Sequence, residues 1–190
     1  MELLKVATDF DDVCVDTQGL EAVAARYFFK KEPHLLLYEE QRAITWWASA
    51  TDYALNVQPL EGAVEYLHLL RQEGNKRQVV TSRDGTFLEK AREIATLHNF
   101  ALPFHGVGHK KSKAPALRGW DVFIDNEPEK LVDLADIVPH RLLFSRPDNE
   151  KCLLPPGVVR VSSWKEIYAY IHQVQDVPHR RPCRKAAAAD

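Results

Sequence analysis

Short apolar runs that do not alternate with polar residues constrain this chain most, because each must be buried on both of its faces. Residues 3–8 are apolar apart from one lysine, Gln78-Val79-Val80-Thr81 ends a second such run, and Val122-Phe123-Ile124 is apolar throughout. Bounded by polar segments, these runs read as strands of a sheet covered on both sides. Weaker strands are expected over 104–107, 141–144 and 158–161. Between them the period changes. Leu20, Val23, Ala24 and Tyr27 fall on one face of a helix predicted over 19–29, and further helices are predicted over 37–54, 60–72, 86–99, 127–135 and 163–173. Strands alternating with helices predict a mainly parallel sheet between two helical layers, a three-layer Rossmann-like α/β domain.

A chain of 190 residues suits one compact domain. The first crossover is oversized, however. One helix of about a dozen residues can return a chain to a parallel neighbour, yet two or three helical stretches separate the first two strands. The surplus, residues 16–57, is expected to form a small helical cap on a core of residues 1–15 and 58–175. Residues 176–190 are rich in Pro and Arg, end in four alanines followed by Asp190, and are expected to be disordered.

Composition narrows the partners. A net charge of −2 gives no reason to expect a nucleic acid, and no apolar run approaches the roughly 18 residues that span a bilayer. Cys14, Cys152 and Cys183 are odd in number and far apart. They suggest neither a disulfide framework nor a zinc site, and a reducing cytoplasm is the expected location. A homodimer is allowed.

Chemistry gathers where strands end. Asp9, Asp11 and Asp12 follow the first run, Thr81, Ser82 and Arg83 the second, and Asp125 and Asn126 the third. Ligands of open parallel sheets bind at the carboxyl ends of strands. Several carboxylates brought to one such edge repel, and a hard divalent cation with oxygen ligands relieves that repulsion. Such a site suits phosphoryl transfer, in which a metal, a lysine and hydroxyl donors stabilise the equatorial oxygens.

The three segments Asp9-Phe10-Asp11-Asp12-Val13, Val79-Val80-Thr81-Ser82-Arg83 and Val122-Phe123-Ile124-Asp125-Asn126 resemble the motifs of the haloacid dehalogenase superfamily of phosphohydrolases. Pro59-Leu60-Glu61-Gly62-Ala63, Arg146-Pro147-Asp148-Asn149 and the stretch from Arg160 to Ile167 are similar to the 5′(3′)-deoxyribonucleotidase branch. The resemblance implies Mg²⁺-dependent hydrolysis of a small phosphomonoester, a nucleoside or deoxynucleoside monophosphate being the leading substrate. Asp9 would be the nucleophile and Asp11 the general acid and base. Mg²⁺ would lie on Asp9, Asp125 and the backbone carbonyl of Asp11, with Thr81 and Ser82 on the phosphoryl oxygens.

The family lysine is sought among Lys110, Lys111 and Lys113. Lys113 is preferred from its distance in sequence to Asp125, and Lys90 is an outside candidate. Asn126 departs from the second aspartate usual in close relatives; it could still ligate the metal or orient its water, and Glu127 or Glu129 could supply the missing charge. Trp46 and Trp47, with Tyr27 and Phe28, are candidates either for contacting a flat leaving group or for holding the cap together. Arg83 is read as an exposed loop residue or as a contact to a substrate anion, and Asp12 as a turn or capping residue. His105 and His109 are not expected to bind zinc, because Gly106 and Gly108 argue against the helix that their spacing would require. Two other readings stay open: a phosphatase for another metabolite or for a nucleic-acid 3′ end, and a non-catalytic binding module on the same fold.

Overall fold

The structure, a computed structural model, describes residues 3–176. The expectation for the tail therefore lies almost wholly outside the described residues, as does Cys183.

Six parallel strands form one sheet in the order β3-β2-β1-β4-β5-β6. They are β1 (Lys5–Thr8), β2 (Lys76–Thr81), β3 (Phe104–Gly106), β4 (Val122–Asp125), β5 (His140–Phe144) and β6 (Val158–Val161). The pleat explains the unbroken apolar runs. Val6, Val79, Val122, Ile124 and Leu142 enter one apolar layer, while Ala7, Val80, Phe123 and Leu143 enter the other. Helices α3 (Ala63–Gln72), α4 (Gly85–Leu97) and α7 (Trp164–Asp176) cover the first layer through Leu67, Leu70, Ile94, Trp164, Ile167 and Ile171. The short α5 (Ala114–Leu117) and α6 (Pro128–Val132) cover the second through Leu117 and Leu131. Each large apolar side chain buried this way contributes roughly 1.5–3 kcal/mol. The three-layer α/β expectation is met, and the parallel sheet is complete from edge to edge.

Element ends shift for local reasons. Gly62 has φ +77°, a left-handed conformation open to glycine, and α3 starts after it rather than at Leu60. The last helix runs to Asp176, beyond the expected end at residue 173, because Val174 and Gln175 are buried and the Gln175 amide donates to Asn75 Oδ1 at 2.8 Å. Helix α5 was not foreseen, since four residues carry too little periodicity to register.

Most of residues 17–56, between β1 and α3, are helical. They comprise α1 (Thr17–Ala24), which continues as a π-helical turn (Ala25–Phe29), and α2 (Tyr38–Ala50), which is followed by a 3₁₀ turn (Asp52–Asn56). Ala24, Ala25 and Ile44 form a small apolar cluster of their own with Phe29, Leu36 and Tyr53. Among the described residues no helix is long and apolar enough to cross a membrane.

Candidate active site

β1 occupies the middle of the sheet, with β2 and β3 on one side and β4 to β6 on the other. Chain direction across the sheet reverses here, and this is the position at which such sheets open a crevice at their carboxyl edge. The segment leaving β1 is fastened on several sides. Phe10 is fully buried against Phe100 and Phe104, Val13 and Cys14 are buried, and the Trp164 indole N–H donates to the Val13 carbonyl at 2.7 Å. The Cys14 and Val15 N–H groups both donate to the Phe10 carbonyl. The apolar residues of the segment therefore turn inward and leave the aspartates at the strand end. The Asp9 N–H donates to the Ile124 carbonyl at 2.8 Å, which ties this end to β4.

A buried lysine joins two of these carboxylates. Lys113 Nζ lies 2.8 Å from Asp9 Oδ2 and 2.8 Å from Asp125 Oδ2, with side chains 2%, 6% and 0% exposed respectively. The remaining oxygens are held by backbone: the Phe10 N–H donates to Asp9 Oδ1 and the Glu127 N–H to Asp125 Oδ1. Burial pushes the Asp9 carboxyl up to about 6, Lys113 opposes the rise, and the neighbouring Asp125 and Asp11 add to it. Burial works against the Lys113 charge too, but Asp125 and Asp9 prevail and raise its pKa. Of the candidate lysines, Lys113 alone is brought to the strand ends. Lys110 and Lys111 are exposed, and Lys90 pairs with Asp52 and Glu93.

Asp11 and Arg83 form a second ion pair. Arg83 donates through Nε to Asp11 Oδ2 at 2.8 Å and through Nη2 to Oδ1 at 2.5 Å, while Thr17 Oγ1 adds a bond to Oδ1 at 2.7 Å. Burial would raise the Asp11 carboxyl, but the Arg83 charge and fork, with Thr17, outweigh it and hold the group below the usual carboxylate range. Arg83 is buried, so the expectation of an exposed loop arginine is corrected; its guanidinium also donates to the carbonyls of Ser49 and Phe87. Gly106 lets this happen. A Cβ there would stand 2.4 Å from the Arg83 carbonyl, so any larger residue on β3 would push the loop away.

Thr81 is buried at the end of β2, and its hydroxyl accepts from the Arg83 N–H at 3.3 Å. Ser82 Oγ accepts from Lys130 Nζ at 3.1 Å, and that ammonium also reaches Glu127 Oε1 at 2.5 Å. Asp12 has φ +56° and accepts the Gln18 N–H at 2.8 Å, beside the start of α1. Burial pushes its carboxyl up to about 7. Arg146 lies 3.6 Å from Asp12 and also pairs with Asp16. Asn149, from the same loop after β5, donates to the carbonyls of Asn126 and Phe144.

Asp9, Asp125 and Glu127 offer oxygens that all lie within 4.8 Å of one another, a grouping able to hold a metal ion. Glu129 is not in it, and neither are His105 and His109, which are exposed. In the helical segment, the Trp47 ring lies 4.4 Å from that of Phe28, which also meets Tyr27 and Tyr53, while Trp46 is exposed. Most of these aromatics thus pack on one another. Thr17, Lys130, Arg146 and Asn149 were not singled out as site residues, although Arg146 and Asn149 lie in the stretch after β5 that is similar to the deoxyribonucleotidase branch; Lys130 acts on Ser82 across 48 positions, which no local pattern signals.

Comparison with known proteins gives a family and a fold. A family model described as 5′ nucleotidase, deoxy (pyrimidine), cytosolic type C protein matches residues 3–176. A haloacid dehalogenase-like family hydrolase from Streptococcus pneumoniae superimposes with a TM-score of 0.65 at 14% identity, covering 89% of this chain and 98% of that one. A HAD family hydrolase from Deinococcus radiodurans, solved with phosphate and sodium, gives 0.66 at 18% identity, with 91% and 96% covered. YfnB, a HAD-type protein of Bacillus subtilis solved with magnesium, gives 0.55 at 14%, with 90% and 100% covered. No curated protein matches the chain by sequence. At these identities the structures speak for the fold, whereas the family match runs through every strand and helix described above. The chain has the fold of haloacid dehalogenase-like hydrolases and is a phosphatase that belongs to the 5′ nucleotidase, deoxy (pyrimidine), cytosolic type C family.

Proposed function

We propose that this enzyme hydrolyses a nucleoside or deoxynucleoside monophosphate with Mg²⁺, through an aspartyl-phosphate on Asp9. The observation that carries the reading is the buried lysine set at equal distances from two aspartates on neighbouring strand ends. A lone carboxylate pair at that depth would be costly. With a lysine between them and the oxygens of Asp9, Asp125 and Glu127 within 4.8 Å of one another, the arrangement fits a hard divalent cation and a phosphate dianion. Asp9, Asp125 and the Asp11 carbonyl would hold Mg²⁺, which would supply charge neutralisation at the phosphoryl oxygens.

The residues themselves carry the bond changes. An Asp9 oxygen forms a bond to phosphorus as the ester oxygen departs, and Asp11 gives that oxygen its proton. Water then attacks the acyl phosphate, Asp11 takes its proton, and phosphate leaves Asp9 as a carboxylate. Lys113, Thr81 and Ser82 hold the phosphoryl oxygens. Asp11 is 30% exposed along its side chain, so a leaving group can reach it while Arg83 fixes its plane. An arriving phosphate dianion raises the pKa of a neighbouring carboxyl, which opposes the Arg83 effect and favours the protonated form. Residues 16–57 act as the cap, and Arg83 joins it to the core through the Ser49 carbonyl. Trp46 and Trp47 are the candidates for contacting the base.

Phosphate release from an aryl phosphate, from nucleoside and deoxynucleoside monophosphates and from sugar phosphates tests this directly. Turnover is expected to require Mg²⁺, to stop with chelator and to favour nucleotides. Aryl phosphate turnover without nucleotide preference removes the nucleotide and leaves a phosphatase for another metabolite. No turnover of any ester sinks the reading in favour of a binding module.

Arg83 gives a finer check. Arg83→Lys keeps the charge but loses the fork that aligns both oxygens of Asp11. We expect kcat to fall by roughly 10²-fold, the order that a small misplacement of a reacting group costs, with little change in KM. An unchanged kcat contradicts a role for this pair in turnover.

A further inference from the structure

Asn126 follows Asp125 at the end of β4, and Glu127 follows it. Asn126 is only 9% exposed, and its side-chain amide makes no hydrogen bond among the described residues, although its carbonyl accepts from Asn149. Glu127 precedes Pro128, which confines it to extended backbone, observed at φ −101° and ψ 110°. In that conformation its N–H donates to Asp125 Oδ1 at 2.9 Å. Its carboxylate comes within 4.8 Å of the oxygens of Asp9 and Asp125. Lys130 Nζ, at 2.5 Å from Glu127 Oε1, bridges that carboxylate to Ser82 Oγ.

We propose that Glu127 is a direct ligand of the divalent cation, supplying the charge that asparagine at position 126 lacks, and that Lys130 is its competing counter-ion. The inference rests on the metal-dependent reading above. Three carboxylates face two ammonium groups here, and each plays a separable part. Lys113 is locked between Asp9 and Asp125 in a buried position that a solvated ion cannot enter. Lys130 and Glu127 sit at the open side, with side chains 28% and 49% exposed. A cation that keeps several waters, as Mg²⁺ does, fits that open side. Lys130 can yield Glu127 and retain Ser82, one of the residues proposed to hold the phosphoryl group.

Calorimetric titration of the full chain with Mg²⁺ alone tests this without reference to turnover. Glu127→Gln is expected to weaken binding by at least roughly 10–100-fold, the loss that follows when even an outer partner of a metal ligand is removed. Glu127→Asp keeps the charge but shortens the reach, and is expected to weaken binding as well. Adding Asn126→Asp to Glu127→Gln is expected to restore affinity, and melting curves without metal check that each variant is folded. Wild-type affinity in Glu127→Gln overturns the proposal. So does wild-type affinity in Glu127→Asp, which marks a field effect rather than ligation, and so does a wild-type protein that binds no Mg²⁺. Phosphate release by the same preparations separates the two claims. Hydrolysis by wild type with undiminished binding in Glu127→Gln sinks only this inference. Weakened binding in Glu127→Gln with no hydrolysis by wild type sinks the proposed function and leaves Glu127 a ligand.

Discussion

Asp9→Asn is expected to cut phosphate release by at least on the order of 10³-fold while leaving the fold intact. The size follows from the role: an amide oxygen cannot replace the carboxylate that attacks phosphorus, and removing a nucleophile costs more than removing any group that only positions it. The small structural effect follows from the contacts. Asparagine keeps an acceptor for the Phe10 N–H, and Lys113 keeps Asp125 at 2.8 Å. It also removes a carboxylate that burial and two acidic neighbours already push up to about 6. The lost charge-assisted contact with Lys113 is worth about 1.5–3 kcal/mol and is partly offset by removing a buried carboxylate, so melting should shift by several degrees without loss of the fold. Mass spectrometry of wild type quenched in acid during turnover should find phosphate on the peptide that contains Asp9, and none in the variant. Undiminished turnover in Asp9→Asn removes the aspartyl-phosphate outright.

Much of the frame behind that result is legible along the chain. Val79-Val80 and Val122-Phe123-Ile124 lack polar alternation because the sheet is covered on both faces, so the parallel architecture follows from their composition. Parallel strands bring their carboxyl ends to one edge, and Asp9, Thr81 and Asp125 meet there for that reason. Cross-chain side-chain pairs are a different matter. Arg83 and Asp11 are 72 positions apart, and their pairing depends on Gly106 letting the β2 loop settle over β3. Lys130 reaches Ser82 across 48 positions, its long side chain spanning from α6 to the residue that follows β2. No periodicity records such contacts. Glu127 was separable from Glu129 only once Pro128 and the Asp125 bond fixed its backbone.

Lys113→Met should remove most of the activity and also destabilise the protein, and the two losses should respond differently to conditions. Lys113 is the only ammonium within ion-pair distance of Asp9 and Asp125 among the described residues, and all three side chains are nearly or wholly enclosed. Methionine fills similar volume but leaves two carboxylates facing each other without a counter-charge. Breaking a buried ion pair in this way costs about 3–5 kcal/mol. Part of that loss is recoverable by protonation. Asp9 sits at about 6 even with Lys113 beside it, and without the lysine its carboxyl moves higher still. A group whose pKa is higher folded than unfolded stabilises fully below its unfolded value, near 3.8, and loses that contribution as pH rises through its folded value. The deficit of Lys113→Met relative to wild type should therefore be smaller at pH 5 than at pH 8 in urea unfolding. Mg²⁺ should narrow it at pH 8, because the variant, with no ammonium competing for Asp9 and Asp125, binds the cation more tightly than wild type does. Activity should not recover with either treatment, since neither replaces the donor that holds the phosphoryl oxygens. A deficit that is equal at both pH values, or a variant as stable as wild type, would show that the lysine does not balance these carboxylates.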